Sequence, residues 1–117
     1  MTTEKARKEE PFVTLTGTDS LNALFIRSND EPVILFKHSL TCPISSAAYQ
    51  EMERLTHEVS LVVMQRSRDI SDEIEKRSGI RHESPQVIIL RNGAAAWNAS
   101  HWSITTKAVE HAVHDSE

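Results

Sequence analysis

The chain's only cysteine, Cys42, stands in the run Thr41-Cys42-Pro43-Ile44-Ser45, and it is the residue whose type and setting point most directly to chemistry. Before it lies Val33-Ile34-Leu35-Phe36, a continuous apolar run of the kind shown by a central strand covered on both faces. After it, Ile44, Ala48, Met52 and Leu55 recur at helical spacing, with Ser45, Gln50, Glu53 and Arg54 toward water. Pro43 suits the first position of that helix, where proline's missing N–H costs nothing. A sulfur at such a strand-to-helix junction faces unpaired helix amides and the positive end of the helix dipole. Both favour thiolate over thiol, and cysteines so placed titrate as low as about 3.5–7.5 instead of about 8.5. Cys42 is therefore expected to be a nucleophile at neutral pH, the plainer use of a free cysteine being as a small buried hydrophobe. Ser45 occupies the place where a dithiol protein would hold its second cysteine. Its hydroxyl can donate to the thiolate but cannot resolve a mixed disulfide, and taken alone it is an ordinary first-turn serine.

Other chemistry-bearing types give weaker signals. Six histidines invite a metal reading, but a zinc site needs three or four ligands in closed geometry. With a single cysteine, and with His111 and His114 near a frayed helix end, solvated surface histidines are expected and no metal. Lys37 and Arg81 flank the cysteine loop and can meet a carboxylate-bearing thiol; singly, each is an ordinary surface charge. Trp97 and Trp102 are expected to pack the closing hairpin and the last helix.

The elements that must position Cys42 follow from periodicity and punctuation. Phe12 to Leu15 reads as a short edge strand, and Thr18 or Asp19 as the cap of a helix carrying Leu21, Leu24 and Phe25. Leu61 to Met64 is a second buried strand. A helix capped at Ser71 or Asp69 then runs to Gly79, a left-handed stop. Gln86 to Leu90 and Ala94 to Trp97 flank Asn92-Gly93, the dipeptide preferred in a type I′ hairpin. A last helix starts near Ser103, with Ile104, Ala108 and Ala112 inward. Alternating strands and helices require parallel crossovers, and the hairpin adds an antiparallel edge. The class is α/β, a central mixed sheet with helices on both faces, in the element order of the thioredoxin fold.

One domain over residues 12–117 is expected, preceded by a mobile, solvated arm over residues 1–11. At 117 residues the chain can bury roughly two-thirds of its unfolded surface. The formal charge of -4 offers no basic field for nucleic acid or an anionic membrane. No apolar stretch approaches the ~20 residues of a membrane span, and no secretory leader is evident. One cysteine fits a reducing cytoplasm.

Two segments together, Phe36-Lys37-His38-Ser39-Leu40-Thr41-Cys42-Pro43-Ile44-Ser45 and Gly79-Ile80-Arg81-His82-Glu83-Ser84-Pro85-Gln86-Val87, resemble the monothiol bacilliredoxins, thioredoxin-fold proteins of the bacillithiol system. The likeness runs from about Phe12 to Val113. Dithiol thioredoxins usually place an aromatic residue before the cysteine and a second cysteine three residues on, where this chain has Thr41 and Ser45. Monothiol glutaredoxins have Gly-Phe-Ser after the cysteine, where this chain has Pro43-Ile44-Ser45. The resemblance implies that Pro85 is a cis-proline facing Cys42, leaving the backbone at Ser84 free to pair with an extended thiol substrate. It also implies the reaction, in which Cys42 removes bacillithiol from bacillithiolated client proteins and free bacillithiol regenerates the enzyme. Thr41, Pro43, Ser45, Ser84, Pro85, Lys37 and Arg81 are then the thiol-binding candidates. The alternative function is an iron–sulfur cluster-binding module of the monothiol thioredoxin-fold type, with cluster ligands shared between subunits and a small thiol.

Overall fold

The computed structural model describes residues 11–117, so the expected arm lies, but for Pro11, outside the described residues. Pro11 itself is buried, and its carbonyl accepts the Val59 N–H. The order is β1 (Phe12–Thr14), α1 (Thr18–Arg27), β2 (Val33–His38), α2 (Pro43–Glu53), β3 (Val59–Val63), α3 (Arg68–Ser78), β4 (Gln86–Arg91), β5 (Ala94–Ser100) and α4 (Thr106–Asp115), with a 3₁₀ turn at His101–Ser103. The five strands form one sheet in the order β1-β3-β2-β4-β5. β1, β3 and β2 run parallel, while β4 is antiparallel to both β2 and β5. The mixed sheet expected from the alternation of elements is present.

Residue alternation along β2 divides the interior in two. Ile34 and Phe36 join Ala48 and Met52 of α2 and Val109 and Val113 of α4 on one face. Val33 and Leu35 join Leu21, Leu24 and Phe25 of α1 and Ile70 and Ile74 of α3 on the other. A strand buried on both sides has no polar face to alternate with, which is why it reads as a continuous apolar run.

Local punctuation behaves as its chemistry demands at two places. Gly79 ends α3 at φ 75°, a left-handed conformation that a Cβ would disfavour. Asn92 and Gly93 both have positive φ, 56° and 76°, as a type I′ turn requires.

Elsewhere the boundaries shift. The caps of α1, α3 and α4 are Gly17, Ser67 and Thr105 in place of Thr18 or Asp19, Ser71 or Asp69, and Ser103. Only Thr105 caps through its side chain, accepting the Ala108 N–H. Ser71 is instead buried inside α3, and Trp102 is exposed on the 3₁₀ turn instead of packing the last helix. β2 continues two residues past Phe36, so Lys37 and His38 are buried strand residues, not surface groups.

The topology brings three connections to one edge of the sheet. β2 ends at His38 and leads through Ser39–Thr41 to Cys42. Because Lys37 pairs with Gln86, the Ser84–Pro85 segment enters the sheet at that edge too. Gln86 in turn pairs with Ser100, which puts the 3₁₀ turn beside them, and the His101 N–H donates to the Pro85 carbonyl.

Candidate active site

Cys42 is the N-cap of α2 in extended backbone geometry, Pro43 is the first helical residue, and the thiol is partly exposed. As a thiol it closes no capping hydrogen bond. As an anion it has suitors: its pKa is lowered chiefly by the Ser45 backbone N–H, opposed next by desolvation, with the Ile44 N–H and the Ser45 hydroxyl adding smaller lowering effects. These donors belong to the first turn of the helix that the cysteine caps.

Ser45 does not point to water. It is fully buried, and α2 docks on the sheet through Ser45, Ala48 and Met52, while Ile44 is only partly covered. The Ser45 Oγ accepts the Ser39 N–H at 3.2 Å and so ties the cysteine loop to the helix it precedes. Gln65 holds the same loop from β3's side. Its Oε1 accepts the Leu40 N–H at 3.1 Å and its Nε2 donates to Ser39 Oγ at 3.0 Å, with Thr41 Oγ1 at 3.5 Å. Nothing local marks Gln65, a polar residue 23 positions from the cysteine.

The Ser84–Pro85 peptide bond is cis. Pro85 is buried, and among the described residues the Ser84 backbone takes part in no hydrogen bond. Arg81 is exposed, and among the described residues its side chain makes no hydrogen bond or ion pair, though its carbonyl accepts from Gln86 Nε2 at 2.9 Å. Lys37, by contrast, is 1% exposed. Its ammonium lies 3.2 Å from His82 Nδ1, and burial pushes its pKa down against the opposing pull of Glu75 and Asp72. It therefore cannot reach a surface ligand directly. His38 packs on the α2 side, its ring 4.9 Å from Tyr49 and 5.6 Å from Phe36, with its Nδ1 buried and unpartnered. Burial lowers its pKa, opposed by the Ser45 backbone, so at neutral pH it is the uncharged imidazole. No group of three or more His, Cys, Asp or Glu is placed to hold a metal among the described residues, and no described helix is long and apolar enough to cross a membrane.

A half-exposed cysteine capping a helix, a cis-proline at the same sheet edge, and serine where a second thiol would stand are the parts of a monothiol exchange site. Residues 13–109 match the family model of the monothiol bacilliredoxin BrxC. The chain belongs to the monothiol bacilliredoxin family. A solved structure provisionally described as an oxidoreductase with a thioredoxin fold is 30% identical, with a TM-score of 0.80 over 87% of this chain and 93% of that one. Thioredoxins from Trypanosoma brucei brucei and Nicotiana alata share the fold at 14% and 8% identity, with TM-scores of 0.72 and 0.71. The first covers 93% of both chains, the second 94% of this chain and 96% of its own. Bacilliredoxin membership and thioredoxin fold together support a thiol oxidoreductase role.

The electrostatics of Cys42 carry an expected result. Iodoacetamide reacts with thiolate, so its rate climbs with pH through the thiol pKa. For native protein the midpoint should fall below that of free cysteine, because the folded site stabilises the anion. Ser45→Ala removes one of the three favourable donors and should move the midpoint part of the way back. A native midpoint at or above that of free cysteine contradicts an activated thiolate.

Proposed function

We propose that this bacilliredoxin removes bacillithiol from protein mixed disulfides in a reducing cytoplasm. The observation that carries the proposal is a partly exposed Cys42 capping the start of α2 with a serine, not a second cysteine, three residues on. Such a site can accept one sulfur in exchange but cannot form an internal disulfide to discharge it. Cys42 thiolate attacks the bacillithiol sulfur of a client mixed disulfide. The old S–S bond breaks, the client leaves as thiolate, and a Cys42–bacillithiol disulfide forms. A second bacillithiol thiolate then attacks the bacillithiol sulfur of that adduct, releasing bacillithiol disulfide and Cys42 thiolate. One free bacillithiol is consumed for each client mixed disulfide reduced, and the disulfide bond passes from the client to bacillithiol disulfide. The unpaired Ser84 backbone beside cis-Pro85 suits the extended chain around the reacting sulfur.

The test is selectivity, since any reactive thiolate exchanges with any accessible disulfide to some extent. One client protein is loaded with bacillithiol or with glutathione and reduced with equal concentrations of the matching free thiol. The bacillithiolated client should be reduced at least about tenfold faster, the scale of one or two charge-assisted contacts to the cofactor. Equal rates would remove bacillithiol as the preferred partner while leaving the exchange chemistry of Cys42 standing.

A further inference from the structure

Between the start of α3 and the segment leading to Pro85 is a hollow of about 230 Å³, lined by Ser39, Met64, Gln65, Arg68, His82 and Ser84. Among the described residues its lining holds no carboxylate; Ser39 and Gln65 are bonded to each other, while Arg68, Ser84 and His82 keep open polar groups. Arg68 is exposed and, among the described residues, forms no ion pair or hydrogen bond through its side chain. The Ser84 hydroxyl is buried without a partner among the described residues. His82 is committed on one side only: Lys37 Nζ and Ser71 Oγ both lie 3.2 Å from its Nδ1. The ammonium is a donor, so Nδ1 accepts and the ring proton resides on Nε2, which thereby becomes a donor for whatever the hollow admits. His82 is kept neutral in this role, its pKa lowered by burial first and by Lys37 next, with Glu75, Glu83 and Asp72 opposing.

A hollow lined by a guanidinium, an imidazole and a serine, with the buried Lys37 behind His82, is suited to carboxylate oxygens. Ser84 immediately precedes cis-Pro85, and Ser39 belongs to the loop that carries Cys42, so the hollow adjoins both the cysteine loop and the cis-proline segment. We propose that this hollow is the subsite for the carboxylates of a low-molecular-weight thiol while its sulfur is joined to Cys42, with Arg68, His82 and Ser84 as the binding groups. The inference rests on the bacillithiol reading, whose cofactor carries a malyl dicarboxylate. It moves the cationic role from Lys37 and Arg81 to Arg68.

The binding step is an exchange at Cys42: the thiolate of one small thiol displaces another from its Cys42 disulfide, one S–S bond forming as one breaks. Native protein is equilibrated with an equimolar mixture of bacillithiol and its malate-free cysteinyl-glucosamine counterpart, together with their disulfides. Intact-mass spectra give the ratio of the two adducts. The bacillithiol adduct should be favoured about tenfold in the native protein. Arg68→Gln should bring the ratio close to one, Arg68→Lys should restore part of it, and Lys76→Gln, on the exposed far part of α3, should leave it unchanged. Arg68 is exposed at the start of α3, so the variants should fold. A native ratio near one would overturn the subsite, as would a preference that survives Arg68→Gln. Failure of the bacillithiol reading itself shows differently: both adducts form, but native protein releases no client thiol from a bacillithiolated protein.

Discussion

Cys42→Ser is expected to abolish reduction of mixed disulfides, bringing turnover to the uncatalysed background, while leaving the protein as stable as the native chain or more so. The loss follows from the sequence, which holds no second thiol to substitute. The stability follows from where the cysteine stands. Cys42 caps α2 without making a capping hydrogen bond, whereas serine is among the preferred N-cap residues because its oxygen can accept from the first turn. The native site gives up a good cap to expose a sulfur. The advantage of serine should depend on pH with a definite sign. The native thiol has a lowered pKa in the folded state, so its anionic stabilisation is present above the unfolded-state pKa and is lost as pH falls through the folded-state value. The serine variant should therefore exceed the native protein most at acid pH, with the gap closing as pH rises through that window. Thermal unfolding across pH, beside the activity assay, measures both. A variant that unfolds well below the native Tm at acid pH would mean that the cysteine is a packing residue and that its activity loss is ambiguous.

The parts of this site that sequence makes legible are those governed by neighbours in the chain. Cys42-Pro43 announces a helix start because proline's geometry is favoured only there, and Gly79 and Asn92-Gly93 announce left-handed backbone for the same local reason. The junction, the hairpin and the order of elements therefore follow without knowledge of tertiary contacts. Cap positions are less legible, since Gly17, Ser67 and Thr105 compete with chemically similar residues one to four positions away.

Residues whose roles are set by distant partners stay hidden. Lys37 and His38 look like the polar exit of an apolar strand, yet β2 carries them on into the interior. Lys37 ends on the α3 side against His82, 45 positions away, and His38 on the α2 side against Tyr49. Neither burial has a local signature. Ser45 is a subtler case. Ile44, Ala48, Met52 and Leu55 form a valid helical stripe, but Ser45, Ala48, Met52 and Leu55 form one equally well, and hydropathy chooses the wrong first member. The structure buries the serine because its hydroxyl is needed at the cysteine loop, where it accepts the Ser39 N–H. The resemblance to bacilliredoxins supplied Ser84 and Pro85, which periodicity alone would have left as the start of an ordinary strand. Gln65, which holds the cysteine loop, is legible from neither source.

Ser45→Cys is expected to turn an adduct-accumulating protein into one that forms an internal disulfide. With oxidised bacillithiol, the native protein can only exchange one small thiol for another, so a Cys42–bacillithiol adduct should persist. In the variant a second sulfur stands one helical turn from the first, at a position whose hydroxyl already contributes to stabilising the Cys42 anion. Its thiolate attacks the Cys42 sulfur of the mixed disulfide, bacillithiol leaves as thiolate, and the two protein sulfurs join. Being intramolecular, that step should shorten the adduct's lifetime by about two orders of magnitude or more relative to attack by millimolar free thiol. Burial works against it in one respect. Ser45 has no exposed surface, and a thiol is a poor acceptor for the Ser39 N–H, so the substitution should also cost about 1–3 kcal/mol of stability. Intact-mass spectra over time separate the outcomes: the added mass of bacillithiol should give way to a loss of two hydrogens from the reduced variant. An adduct as persistent as the native one would mean that the buried position behind Cys42 cannot bring a sulfur to bear. The serine would then act on Cys42 only as a hydrogen-bond donor and an anchor for its loop.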